Sequence, residues 1–426
     1  MDRKLVRMIL SRMSLFCTGI LGSVADVHRR KFIPELLAGI AKAGSLVAAD
    51  LARATQRVGE TTCGAWKSIR HQLGSPKWDR QEEAMNRAFA RREGRGVEAL
   101  TPVVIDLSEL VKPCARRMEH LDRVRDASAS SKRGTTVTEP GYGLFNSITF
   151  GRHDMPVPLV NFLYSLQEGT FVSENAVLEH GCREIHQATG GRGLVVMDRR
   201  ADAEIFLSML QRLPMAFLVR LAEKRHLYAE NADALGDVPT VARCLNLAGR
   251  MTLPRRVGRR TLSIRIRYGW RPVRLKGMPQ TFTMIAVHGQ FEHLDRKETE
   301  GWWYLLTNVP LTSPEEVEKL ILAYRLRWKI EESIQFVKEE LGLEKVRMLS
   351  FRRIRRLVAL AFWIMALLAE IRFELSQSTL HKLYRLGRIL RLVPASFIFY
   401  RLRRGLAVFF EWPPHLQKLL TICHAV

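Results

Sequence analysis

VVIDL, residues 103–107, is a short β-branched run carrying one acid, and it follows residues 1–100, whose texture is helical. Such a run predicts a strand buried on both faces, with Asp106 toward its carboxyl end. The pattern recurs in GLVVMD, residues 193–198, where Asp198 ends the run. Around these two lie candidate strands at 141–150, 157–164 and 216–219. A helix over 173–187 opens with Ser173 and Glu174, and another spans 204–213. Three strands, helix, strand, helix, strand is the rhythm of an α/β layer.

Outward from that core, the spacing of apolar residues predicts helices at 4–13, 33–43 and 45–54, with Gly44 punctuating the last two. Residues 222–310 read as a β-rich insertion with strands at 263–268, 280–287 and 302–306. A long amphipathic helix is expected over 314–341, opened by Ser313, Glu315 and Glu316, and helices continue to the end. The apolar run 357–369 has 13 residues, short of the roughly 18–20 that span a bilayer, and is read as a buried core helix. The expected organisation is a helical segment over 1–100, compatible with a DNA-reading module although plain packing explains it too, an α/β domain from 101–221 and 311–345, the insertion over 222–310, and a C-terminal helical region over 346–426.

Apolar residues form 47% of the 426 and charged ones 26%, which excludes collagenous and wholly disordered classes. Lys and Arg number 67 against 43 Asp and Glu, leaving a formal charge of +24. A field of that sign attracts polyanions, nucleic acid first, although a basic membrane-facing surface or genomic arginine enrichment gives the same balance. The six cysteines form no C-x-x-C pair, as expected of reduced thiols, and cytoplasmic residence is expected. Positive charge concentrates between Arg250 and Lys276, with ten Arg/Lys including Arg265 and Arg267, no acid, and Tyr268 and Trp270 interleaved. That composition suits phosphate tracking better than an ordinary solvated face.

A single strand-end aspartate is most often a turn former or cap. Asp106 and Asp198 together need a third acid to become a site. On a straight helix, Tyr324, Arg327, Glu331 and Lys338 would fall within about 60° of arc. That face offers a hydroxyl, two cations and an acid, and its bland reading is a solvated charged stripe.

With this spacing the chain resembles the bacterial insertion-sequence transposases of the Asp-Asp-Glu type, which have the ribonuclease H-like fold of the retroviral-integrase superfamily. Their helix signature, Tyr-x2-Arg-x3-Glu-x6-Lys, is matched by YRLRWKIEESIQFVK, residues 324–338. VVIDLSEL around Asp106, VVMDRRAD around Asp198, LLTNVP before the helix and KPCARRMEHLDRVRDAS at 112–128 add to the likeness. The resemblance implies a ribonuclease H-like mixed sheet flanked by helices. It further implies Asp106, Asp198 and Glu331 as catalytic ligands of two Mg²⁺ or Mn²⁺ ions, and cut-and-paste cleavage and strand transfer of double-stranded DNA by a homodimer at terminal inverted repeats. Tyr324, Arg327 and Lys338 are implied as contacts to the DNA end, with Arg199 matching the motif beside the second acid. Trp302 and Trp303 are candidates to stack on a flipped base.

Two departures stand out: Arg200 and Ala127 occupy places where relatives usually have Gly. A nuclease or resolvase of the same fold, or an inert DNA-binding descendant, are the alternatives. His180, Cys182 and His186 imitate a zinc triplet but lack a nearby fourth ligand.

Overall fold

The structure is a computed structural model describing residues 3–22, 24, 26–57, 59–127, 129–130, 134–151, 154–231, 233–257, 260–291, 299–387 and 398–412. The chain divides into two compact units, each assembled from separate stretches.

The first unit joins Met1–Gly96, Leu107–Thr189 and Lys329–Val426. Its amino-terminal helices are α1 (Arg3–Leu21), α2 (Val27–Ala43), α3 (Ala48–Thr55), α4 (Thr62–Gly74) and α5 (Asp79–Gly94). Asp26 caps α2 by accepting from the His28 N–H at 2.9 Å, and Gly44 ends it at φ +59, a left-handed turn that glycine takes without steric cost. The expected core helix is α11 (Phe351–Glu374), with every residue from Leu357 to Ala369 buried except Ala359. A helix apolar all round has no solvent face, so α1, α2 and α5 pack about it. Arg356 sits within this packing, wholly buried and lying over Trp78, with its guanidinium bonded to Glu82, Asp79 and the carbonyls of Leu73 and Ser75. The unit also holds β2 (Asp122–Arg125), β3 (Thr138–Phe150) and β4 (Pro156–Tyr164), paired antiparallel on β3, and helix α6 (Glu174–Thr189). Helices α12 (Gln377–Leu386) and α13 (Phe399–Glu411) complete it.

The second unit is Val97–Asp106 with Gly190–Trp328. It holds the start of β1 (Pro102–Val111), then β5 (Leu194–Met197), α7 (Glu204–Arg212) and β6 (Ala216–Arg220). The three strands run parallel in the order β1-β5-β6. The β-rich stretch contributes β7 (His226–Tyr228), β8 (Ala234–Asp237), helix α8 (Val238–Arg243), β9 (Gly249–Val257), β10 (Arg260–Leu275), β11 (Thr281–Phe291) and β12 (Thr299–Thr307). β12 pairs antiparallel with β6, and β11 and β10 follow in the same sheet. The pairing satisfies an edge of β6 that would otherwise leave backbone groups open.

Helix α9 (Pro314–Arg325) starts at a capping box, Ser313 with Glu316. The single helix expected over 314–341 is interrupted. The Leu326 N–H bonds back to both Leu322 and Ala323, and the Arg327 N–H to the Tyr324 carbonyl at 3.0 Å, three residues back. This tightening ends α9. Helix α10 (Trp328–Gln335) follows, then a π-helical turn, Phe336–Glu340, before Gly342 in a left-handed conformation. The 60° arc of a straight helix therefore does not describe the signature residues, because their four positions span a tightened turn and a widened one.

Candidate active site

Pro102, Val103 and Val104 of β1 face Leu194, Val195 and Val196 of β5, and the constant offset of 92, extended two residues past the last pair, directs Asp106 toward Asp198. Parallel neighbours stand about 4.8 Å apart, and equal parity puts both side chains on one face. The β5–β6 register, Met197 opposite Val219, carries the row on to Arg220, and Arg220 in turn faces Leu305 of β12. Asp106 within β1, Asp198 directly after β5 and Arg220 at the end of β6 thus fall along one line across three adjacent parallel strands. Both aspartates are half-buried. Strand registry, a long-range property, brings in Arg220, which sequence reading passes over. Its only local signal is a cation closing the apolar run AFLVR.

Asp198 also serves its own turn, accepting at 2.9 Å from the Arg200 N–H. Arg200, in the place where relatives carry Gly, is not among the positive-φ residues, and neither is Ala127, so a side chain at either meets no backbone strain there.

Helix α9 lies over this face. Tyr324 is buried beside the Arg220 guanidinium, and its ring meets Trp303 edge-on at 5.3 Å. Burial raises the Tyr324 hydroxyl above its ordinary range, with Arg327 and Arg220 drawing it down and Asp198 pushing it up. Arg220 is lowered, first by burial against the opposing pull of Tyr324, then by Arg199 and Arg327. Its second amino group donates to the Trp302 carbonyl at 3.2 Å. Arg199 pairs at long range with Glu223, 3.8 Å, and the Arg327 guanidinium lies 5.5 Å from the Trp328 ring. One aspartate, one phenol and three arginines are therefore within electrostatic reach of each other.

The two tryptophans part company. Consecutive strand residues point to opposite faces. Trp303 shares the face of Arg220 and Tyr324, whereas Trp302 turns away, against His288 at 4.5 Å and stacked on Tyr304 at 5.8 Å. Arg265 and Arg267 of β10 lie exposed on the side of Trp302, and Arg259 of the same basic run lies outside the described residues.

Glu331 and Lys338 belong to the first unit. Glu331 is exposed on α10. Lys338 donates to the Glu109 carbonyl of β1 at 2.5 Å and pairs with Glu344 at 3.3 Å. Lys112 makes a complementary link, its buried amine reaching the carbonyls of Leu343, Glu344 and Val346. Among the described residues no three His, Cys, Asp or Glu side chains are grouped as a metal site. The carboxylates of Asp106 and Asp198 are hard oxygen donors of the kind Mg²⁺ and Mn²⁺ take. Of the zinc-like triplet, Cys182 is buried and its thiol is pushed up to about 12 by that burial.

Residues 172–367, a little under half of the chain, match the family model described as a transposase DDE domain, a span holding Asp198, Arg220, Tyr324, Arg327, Glu331 and Lys338. No curated protein matches. The cryo-EM structure of a piggyBac transposase synaptic complex with hairpin DNA is similar at a TM-score of 0.46 and 10% identity, covering 96% of this chain and 79% of that one.

Proposed function

We propose that the chain is a DNA transposase of the Asp-Asp-Glu type, with a ribonuclease H-like core, that cleaves the ends of an insertion sequence at terminal inverted repeats and joins them to target DNA as a homodimer. The observation that carries this reading is the row of Asp106, Asp198 and Arg220 across adjacent parallel strands, and the match to the transposase DDE domain over 172–367 supports it. Asp106 and Asp198 hold divalent cations, with Glu331 as the third ligand. Bound there, Mg²⁺ supplies a polarised water and neutralises charge on the scissile phosphate.

The chain's own groups do the rest. Arg220 and Arg327 donate charge-assisted hydrogen bonds to phosphate oxygens beside the acids, and Lys338 and Arg199 add positive charge at the DNA end. Tyr324, buried beside Arg220, limits where that guanidinium can turn. Trp303, on the same face, offers a ring to a base displaced from the duplex. The net charge of +24 steers DNA toward the protein.

The test is Asp106→Asn and Asp198→Asn, each assayed on DNA carrying the element's ends. Amides keep shape and lose charge, so binding should persist while Mg²⁺-dependent nicking falls by several orders of magnitude. Nicking at an undiminished rate by either variant would remove that residue from the reaction.

A further inference from the structure

One face of the β9–β12 sheet meets helix α9, through the Tyr268 hydroxyl on Glu318 at 2.7 Å and the Trp303 ring on Tyr324. The other face is built differently. Arg250 of β9 pairs with Arg267 of β10, Arg267 with His288 of β11, and His288 with Trp302 of β12, so one register row crosses four strands. Arg265, two residues along, stands on the same face about 7 Å away. The alternation Arg265-Ile266-Arg267-Tyr268 explains this: the arginines are exposed and the intervening apolar residues buried. Closer to Gly269 the face is covered, since a Cβ at Gly269 would come within 2.5 Å of the Asn246 carbonyl oxygen. Beyond that cover, Arg250, Arg265, Arg267, Thr252 and His288 line an open groove of about 600 Å³. Among the described residues none of the three arginines forms a salt bridge.

From this arrangement we propose that the groove is a second DNA-binding surface, gripping the phosphate backbone of a duplex segment other than the one at the acidic row. It goes beyond the proposed function by dividing the DNA contacts between two faces. Arg250, Arg265 and Arg267 stand on the face of the sheet that α9 does not cover, away from the row of Asp106, Asp198 and Arg220, so the three arginines hold separate DNA. The ligand is backbone and not unstacked bases, because the Trp302 ring is already flanked by His288 and Tyr304 and offers no platform of its own.

The experiment is equilibrium binding of a labelled random-sequence duplex to the full chain between 50 and 200 mM NaCl, by fluorescence anisotropy, together with the stoichiometry at saturation. R250A/R265A/R267A should bind one duplex fewer per chain, and its plot of log affinity against log salt should be shallower by about 2 to 3. R250K/R265K/R267K, which keeps the charge, should restore both, and this separates lost contacts from lost folding. An unchanged slope and stoichiometry in the alanine variant, or no restoration by lysine, overturns the proposal. Failure here leaves the Asp106→Asn and Asp198→Asn result untouched, and failure there leaves this binding intact, so the two readings fall separately.

Discussion

Replacing Lys112 by Met removes a buried amine that links the end of β1 to the segment following the signature. The residue is 3% exposed, and its amine donates to the carbonyls of Leu343, Glu344 and Val346 at 2.7, 3.0 and 3.0 Å. Hydrogen bonds from a charged donor are worth about 1.5–3 kcal/mol each. Against them, burial lowers the amine from 10.5 to about 7, with Glu344 opposing and Arg347 adding. Keeping the ammonium there costs about 5 kcal/mol, at about 1.4 kcal/mol per pH unit. The two effects nearly offset, so near pH 7 Met should destabilise by only about 2 kcal/mol.

The sign of the pH dependence follows from the lowering. Between about 7 and 10.5 the unfolded chain holds this proton and the folded chain has released it, so stability rises with pH across that window. Between pH 7 and 9 the advantage of the natural chain over Lys112→Met should grow by about 2–3 kcal/mol. Urea unfolding at the two pH values measures the difference, and hydrogen exchange at the Lys345 and Val346 amides, bonded to Gly342 and Leu343, localises it. A difference independent of pH would refute the reasoning, because the three carbonyls would then be holding a fully charged ammonium throughout.

Two further outcomes follow from buried polar groups. Arg356→Met should lower stability by about 3 kcal/mol, read as a shift in urea midpoint. The loss stays modest for a buried ion pair because Arg352 and Arg355 still pair with Asp79 and Glu82. Tyr324→Phe should cost about 1 kcal/mol by deleting the buried hydroxyl beside Arg220, while Trp303 emission should stay near that of the natural chain because the edge-on ring contact survives.

What could be read from sequence was local. The β-branched runs announced β1 and β5 with their acids, the 13-residue apolar run announced the middle of α11, and Gly44 marked the end of α2. What could not be read depends on pairing between distant residues. Arg220 joins the acids only through the β5–β6 register, and the β-rich stretch extends the sheet only because β12 finds β6. Parity alone separates Trp302 from Trp303, but which of them meets Tyr324 is settled by where α9 lies. The break at Leu326 and Arg327 had no composition signal, since neither Pro nor Gly stands there.

Strand β5 is four residues long, and Asp198 follows it directly. Adding or deleting one codon between Leu194 and Asp198 would rotate the carboxylate to the reverse side of the sheet and leave its partners behind. Lineages descending from this chain can therefore exchange one branched aliphatic for another in that stretch, but its length behaves as a ruler. Drift in chain length has to accumulate in the connecting loops, where no alignment of acids is being measured.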